Sequence, residues 1–255
     1  MNIEGSVAIV TGGASGLGEA CAEELVKGGA KVAVFDVSGE KGEEAVRRLG
    51  KEAIFVHADV TSEEDVTKGI ERAASSLGPV RIVVNCAGGG LPMKVLTKKG
   101  PMPLAAFNRT LQINLVGTFN VIRLAAARMV NNTPLESGER GVIVNTASIA
   151  AFEGQVGQAD YSAAKGGIVG MTLPIARELA DYGIRVMTVA PGLFDTPLLQ
   201  VVPEPVRVAL GKATPFPSRL GTPREFAGLV RHIIENPMLN GSVIRLDGAL
   251  RLSVK

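Results

Sequence analysis

Tyr161 and Lys165 bracket the run Tyr161-Ser162-Ala163-Ala164-Lys165, a spacing that on a helix sets a phenol and an ammonium on one face. An ordinary phenol, with a pKa of ~10, is a poor base at neutral pH, and a neighbouring lysine cation favours its phenolate. Tyr161 could then take a proton from an alcohol, an assistance typically worth about 10² to 10⁴ in rate. Ser148, 13 residues earlier, could hold the substrate oxygen while hydride leaves the carbinol carbon.

A hydride needs an acceptor, and Thr11-Gly12-Gly13-Ala14-Ser15-Gly16-Leu17-Gly18 supplies a place for one. The stretch follows a β-branched run and opens a helical one. Bare backbone at Gly12, Gly16 and Gly18, with Ser15 and Leu17 between, lets a pyrophosphate approach the helix N-terminus, whose free N–H groups and dipole bind anions. A glycine cluster alone could be a tight turn; the strand-loop-helix context favours a nucleotide. Asp36 lies 20 residues after Gly16, where a carboxylate accepts hydrogen bonds from ribose hydroxyls and repels a 2′-phosphate. No Lys or Arg occurs from Gly12 to Gly18, and Val37 follows Asp36, so the expected cofactor is NAD rather than NADP. A solvated strand-end acid is the plainer reading of Asp36. Oxidised nicotinamide would add a second positive charge in favour of phenolate.

Seven short apolar runs must position these groups: Val7 to Val10, Lys31 to Phe35, Ala53 to Val56, Arg81 to Val84, Val142 to Asn145, Arg185 to Val189 and Val243 to Leu246. They alternate with helical periodicity, as Leu17, Cys21 and Leu25 show before Gly28-Gly29. Being apolar almost throughout rather than alternating, they predict an α/β fold with a parallel sheet buried on both faces, doubly wound. No repeat or linker interrupts the pattern, so residues 1–255 read as one domain. Ser148 follows the fifth run, at the carboxyl end where ligand crevices form. Two loops look long, Gly88 to Pro103 and Asn131 to Gly141; such loops are functional or mobile, or plain surface insertions. Pro174 should kink or break its helix. Predicted helices over Ala105 to Met129 and Tyr161 to Ala180 carry small and apolar residues on several faces, which fits burial against another subunit.

Composition excludes other classes. Among 255 residues, 27 basic and 25 acidic side chains leave a net charge of +2 without a basic patch, which argues against a nucleic-acid partner. No apolar run approaches the ~20 residues of a membrane span. The N-terminus carries no cationic lead and apolar core of a leader, and Cys21 and Cys86, 65 positions apart, suggest neither a disulfide framework nor a zinc site. The expected setting is reducing and cytoplasmic. His57, His232 and Tyr182 invite no catalytic or metal role.

The combination Thr11-Gly-x-x-x-Gly16-x-Gly18, Asn85-Cys86-Ala87-Gly88, Asn114, Ser148, Tyr161-x-x-x-Lys165 and Pro191-Gly192 resembles the short-chain dehydrogenase/reductase family in order and spacing. The resemblance implies a Rossmann fold with a seven-stranded sheet. It also implies a catalytic set of Asn114, Ser148, Tyr161 and Lys165, with Asn114 linking Lys165 to a water-mediated proton relay. By the same resemblance Asp59 and Val60 flank the adenine, and Asn85, Cys86, Ala87 and Gly88 line the cofactor. Pro191, Gly192, Phe194 and Thr196 border the nicotinamide, with Thr196 on its carboxamide. Gly117 to Leu124, Ala151 to Gln158, Gly166 to Arg177 and Pro215 to Gly221 are similar to the branch that oxidises the 3-hydroxyl of 3-hydroxyacyl-CoA. That likeness implies a homotetramer acting on an acyl-CoA or a steroid-like alcohol. Two residues depart from the branch: Asp160, where a small apolar residue is usual, and Asp195, where glycine is usual. A carboxylate beside Tyr161 would oppose phenolate formation, but helical geometry, about 100° per residue, turns Asp160 toward solvent; Asp195 could alter the pocket mouth.

On the substrate side, the apolar run Leu193, Phe194, Leu198, Leu199, Val201 and Val202 reads as a lid within about 193–217, or equally as a subunit contact or core. Gln155 and Gln158 are candidate substrate contacts or turn stabilisers. Lys98 and Lys99 could reach CoA phosphates or simply be solvated. A nucleotide-binding scaffold would carry a broken catalytic set, and an NADP-linked 3-oxoacyl reductase would carry basic residues near Gly13 or Val37; neither pattern is present.

Overall fold

The computed structural model describes residues 1–200 and 202–254, apart from the side chain of Leu198. The expectations for Leu198 and Val201 therefore fall outside the described residues. In chain order the elements begin β1 (Val7–Thr11), α1 (Gly16–Lys27), β2 (Lys31–Asp36), α2 (Gly39–Leu49), β3 (Ala53–His57), α3 (Glu63–Leu77) and β4 (Val80–Asn85). A small hairpin, β5 (Leu96–Thr97) and β6 (Gly100–Pro101), precedes α4 (Leu104–Leu111), a π-helical turn at Gln112–Val116 and α5 (Gly117–Met129). Then come β7 (Gly141–Thr146), a 3₁₀ turn at Ile149–Ala151, α6 (Ala159–Ala180), β8 (Ile184–Pro191), α7 (Pro197–Gln200), α8 (Glu204–Lys212), α9 (Pro223–Glu235) and β9 (Val243–Leu246).

Seven strands form one sheet in the order β3-β2-β1-β4-β7-β8-β9, every pair parallel. This is the seven-stranded, doubly wound α/β fold expected from the apolar runs. Successive side chains of a strand face opposite ways. In β1 Ala8 and Val10 meet α1 and α9 residues such as Leu25, Phe226 and Ile233, whereas Val7 and Ile9 meet Val66 and Ile70 of α3 and Ile122 of α5. Each fully buried side chain of this size contributes roughly 1.5–3 kcal/mol, so two covered faces hold the central strands rigid. The chain reverses its winding between β1 and β4, and the crevice outside their carboxyl ends is where ligands of such sheets bind.

Three local expectations change. The Gly88 to Pro103 segment is not structureless, because Leu96 pairs with Pro101 and Thr97 with Gly100 across the exposed Lys98-Lys99 turn. Helix α6 runs unbroken through Pro174. The carbonyl deprived of a partner belongs to Gly170, which is exposed with open space about it, so water can take that bond. Finally, the helical stretch from Ala105 to Met129 contains the π turn, which no sequence periodicity announces. Among the described residues no helix is long and apolar enough to cross a membrane.

Candidate active site

The glycine loop joins β1 to α1 at the crevice. Gly12 has φ +62°, and a Cβ there would lie 2.8 Å from the Ala87 nitrogen. Only glycine gives both the left-handed turn and that close approach to the loop after β4. Ser15 precedes α1 without capping it through its side chain, so the first-turn N–H groups stay open to an anion. Ser62, by contrast, caps α3 by accepting from the Asp65 nitrogen at 3.1 Å. The Asp36 carboxylate accepts from the Ala14 nitrogen at 3.2 Å and from the Ser38 nitrogen at 2.9 Å. These bonds hold it at the rim of the glycine loop, where a ribose hydroxyl would meet it. Thr196 and Pro197 cover Gly16 from the opposite side, the Pro197 Cδ standing 3.4 Å from the Cβ position. The loop, the acid and this cover fit a dinucleotide.

Strand β4 ends in the loop carrying Asn85 to Gly88, and hydrogen bonds lock that loop to β1. Cys86 donates its N–H to the Thr11 carbonyl (3.1 Å) and Ala87 donates to Thr11 Oγ1 (3.2 Å). Asn85 is only 2% exposed and donates to Asn145 Oδ1 at 2.9 Å. Its side chain ties β4 to β7. Cys86 packs against the core cluster that holds Cys21 and lies 3.4 Å from Thr146 Oγ1. Both thiols are free, and burial pushes Cys21 up.

Lys165 is buried and donates to the Thr146 carbonyl at 2.8 Å, with its Nζ 5.6 Å from the centre of the Tyr161 ring. Burial pushes its ammonium down to about 8. Ser148 Oγ accepts from the Ala150 nitrogen at 3.1 Å, and Ser148 lies close enough to Tyr161 to pull its phenol down. Burial raises the phenol and Ser148 lowers it; burial is the larger effect. The Lys165 ammonium stands beside the ring, where positive charge favours phenolate, while burial of the phenol opposes it. Asn114, fully buried in the π turn, donates to the carbonyls of Gly89 (2.8 Å) and Thr110 (2.9 Å) and accepts from the Gly89 nitrogen (3.0 Å). Gly88 lies between Asn114 and Lys165: its Cβ position is 2.5 Å from Asn114 Oδ1 and 3.4 Å from Lys165 Nζ. The crevice thus brings together Asn114, Ser148, Tyr161 and Lys165, an arrangement able to hold an alcohol oxygen and move its proton.

Comparison with known proteins agrees with this chemistry. Residues 6–206 match the family model described as short chain dehydrogenase. The chain belongs to the short chain dehydrogenase family. Members are oxidoreductases that use a nicotinamide cofactor. The human protein named 3-hydroxyacyl-CoA dehydrogenase type-2 is 58% identical over 253 residues, covering 98% of this chain and 97% of that protein. Among solved structures, a 3-hydroxyacyl-CoA dehydrogenase type-2 from Mycobacterium avium superposes with a TM-score of 0.95 at 45% identity, covering 98% of both chains. A 3-ketoacyl-(acyl-carrier-protein) reductase from Brucella melitensis complexed with NADH gives 0.87 at 31% identity, covering 98% of this chain and 100% of that one.

The remaining residues of this short chain dehydrogenase include one, Asp160, that is placed differently from expectation. Asp160 does not face solvent: it is 3% exposed and accepts from Thr110 Oγ1 at 2.6 Å, because α4 packs across the start of α6. Phe194 is buried edge-on against Phe226, with ring centres 6.3 Å apart, so its side chain is core, and any contact with a cofactor falls to its backbone. Val60 is buried against Gly117, its carbonyl accepting from Asn120 at 2.9 Å, while Asp59 accepts from both N–H and hydroxyl of Thr61 at 2.8 Å. Leu17 packs partly buried against the α1 side of the core, and Pro191 and Gly192 end β8 beside Asp247. A cleft of about 630 Å³ opens between the β5 region and the segment from Ala150 to Ser162, lined by Lys94, Leu96, Phe152, Gln155, Gln158 and Ser162 among others. Gln158 Oε1 accepts from the Gln155 nitrogen at 3.0 Å, a turn-stabilising bond, and Gln155 reaches the Ser253 carbonyl at 3.2 Å. Asp195 is exposed, 3.7 Å from Arg207. Leu199 is half-buried in α7. Thr110 and Thr146, both bonded to the central four, escaped sequence reasoning because the partners lie far off in the chain.

Proposed function

We propose that the protein oxidises the 3-hydroxyl of 3-hydroxyacyl-CoA to the 3-oxo ester, passing hydride to NAD. The observation that carries the reading is the grouping of Ser148, Tyr161 and Lys165 with the buried Asn114 in the crevice. The 58% identity with the human 3-hydroxyacyl-CoA dehydrogenase type-2 supports the substrate class. In this reading Ser148 holds the substrate oxygen, Tyr161 takes its proton, Lys165 supplies positive charge beside the phenol and Asn114 fixes the relay. NAD, when bound, supplies the hydride acceptor and a further positive charge. Gly12, Ser15, Gly16, Leu17 and Gly18 would hold its pyrophosphate, Asp36 its ribose, and Thr196 its carboxamide. The engagement of Asp36 with the glycine loop, and the lack of any Lys or Arg from Gly12 to Gly18, support NAD over NADP.

The proposal includes a substrate cover within about 193–217, with Gln155, Gln158 and Leu199 toward the acyl group. It also includes a cytoplasmic homotetramer. Free thiols at Cys21 and Cys86 support a reducing compartment, and exposed Val116, Phe119 and Leu173 on α5, its preceding turn and α6 support a subunit contact. The test is purified protein with NAD or NADP against short and medium 3-hydroxyacyl-CoAs and a panel of hydroxysteroids, following reduced cofactor. Turnover of CoA esters with NAD, lost in Tyr161→Phe, is expected. Turnover of steroids but no CoA ester would overturn the substrate, and undiminished turnover by Tyr161→Phe would overturn the site.

A further inference from the structure

Asp160 immediately precedes Tyr161 in the first turn of α6, and its carboxylate is 3% exposed. A buried carboxylate is retained only where something holds it. Its hydrogen-bonding partner is Thr110, the penultimate residue of α4, whose hydroxyl lies 2.6 Å from Asp160 Oδ2 and 3.3 Å from the Ala106 carbonyl. One hydroxyl hydrogen cannot serve both acceptors fully, and the shorter bond takes it. The same threonine offers its carbonyl to Asn114 Nδ2 at 2.9 Å. Asp160, Thr110 and Asn114 are thus consecutive links between the helix that carries Tyr161 and the turn that carries Asn114.

Apart from its contact with α6 and its continuation into the π turn, helix α4 has little to fix it. None of its eight residues is buried, Leu104 at its start is 71% exposed, and no side-chain hydrogen bond caps its N-terminus. A helix with so little buried surface resists small displacements weakly. Thr110 would carry any such displacement into Asn114, whose carboxamide is clasped between Thr110 and Gly89.

We infer that Asp160 is a positioning residue of the hydride-transfer site, pinning α4 through Thr110 so that Asn114 keeps its place beside Lys165 and Tyr161. The inference rests on the proposed roles of Tyr161 and Asn114. It assigns Asp160 the role of a hydrogen-bond acceptor, which a neutral amide can also fill, so truncating and conservative variants should differ in the size of the loss. Asp160→Ala and Thr110→Val should each lower kcat ~10-fold, in keeping with the cost of sub-ångström misplacement, and leave the KM for NAD near its wild-type value because Asp36 and the glycine loop are untouched. Asp160→Asn and Thr110→Ser retain the acceptor and the hydroxyl and should recover most of the rate. The double variant Asp160→Ala/Thr110→Val should be no slower than either single one, since the pair acts as a unit.

Steady-state kinetics on the purified full chain, with melting temperatures measured alongside, decides the matter. Equal behaviour of Asp160→Asn and Asp160→Ala would overturn the inference in favour of a purely electrostatic effect. Additive losses in the double variant, or an unchanged kcat in both Asp160→Ala and Thr110→Val, would overturn it as well. If Asp160→Ala does not fold, the Thr110→Val and Thr110→Ser pair carries the same test alone. Tyr161→Phe, run in parallel, separates the two readings: an active Tyr161→Phe removes the site assignment itself, whereas an inactive Tyr161→Phe with a normal Asp160→Ala removes only the clamp.

Discussion

Replacing Gly88 with alanine tests the site at its tightest point. The new Cβ would lie 2.5 Å from Asn114 Oδ1, whereas real Cβ contacts essentially never fall below 3.0 Å, so the carboxamide must retreat by at least 0.5 Å, the difference between these distances. It cannot retreat freely. Asn114 is fully buried and held at 2.8 Å by Gly89 and 2.9 Å by Thr110, and moving it that far breaks one of these bonds or drags α4 with it. Overpacking of this kind costs roughly 1–3 kcal/mol of stability. A misplacement of about 1 Å can cost 10²-fold in rate, so half that distance should lower kcat about tenfold, equivalent to about 1.4 kcal/mol of barrier. Gly90→Ala is the matched control, since a Cβ there would meet Tyr161 and Thr110 at ordinary distances of 3.5 and 3.7 Å. Initial rates of NADH formation at saturating substrate, with melting temperatures, give both terms. If Gly88→Ala kept the wild-type kcat and melting temperature, the placement of Asn114 against Gly88 would be wrong.

Asp36→Ala should weaken NAD about tenfold or more, charge-assisted hydrogen bonds being worth roughly 1.5–3 kcal/mol, and should narrow the preference for NAD over NADP; an unchanged ratio of the two affinities refutes the ribose contact. At the other end of the molecule, Arg219 and the Thr222 nitrogen hold the Glu225 carboxyl down at about 2, against an ordinary 4.5, where it closes the capping box of α9. Because the folded value is the lower one, this stabilisation is complete above 4.5 and fades as the pH falls from 4.5 toward 2. Glu225→Gln should therefore lower stability at neutral pH by no more than about 1 kcal/mol, the side chain being over a third exposed. Its melting temperature should converge on the wild type in acid; a gap that stayed constant down to the acid limb would refute the linkage.

Much of this was legible in the amino-acid order because short-range rules govern it. The runs around Val7, Val32, Ile82 and Val142 are too continuously apolar for a half-exposed strand, and they became the buried centre of the sheet. The Gly12 to Gly18 spacing and the Tyr161-Lys165 interval each encode a local geometry, a loop before a helix and one face of a helix. What could not be read depends on contacts between distant segments. A helical wheel turns Asp160 away from Tyr161, but only the passage of α4 over α6 decides whether that direction is water or protein. The apolar side chain of Phe194 suited a lid as well as a core until Phe226 was seen beside it. The raised phenol of Tyr161 follows from depth of burial, a quantity no spacing contains.

The π turn at Gln112–Val116 has a consequence for how this protein can change. A π turn carries one residue more than the α-helix it interrupts, and each residue is worth about 100° of rotation. The helices on either side are therefore out of phase, with Val121, Ile122 and Ala125 of α5 anchored in the core while Thr110 of α4 reaches Asp160. Loss of any single residue between them would restore a regular helix and leave only one of these two faces correctly aimed. Substitutions along the stretch can be absorbed one side chain at a time, but its length is a shared dimension of core and crevice. Descendants of this chain are free to vary its composition there far more than its residue count.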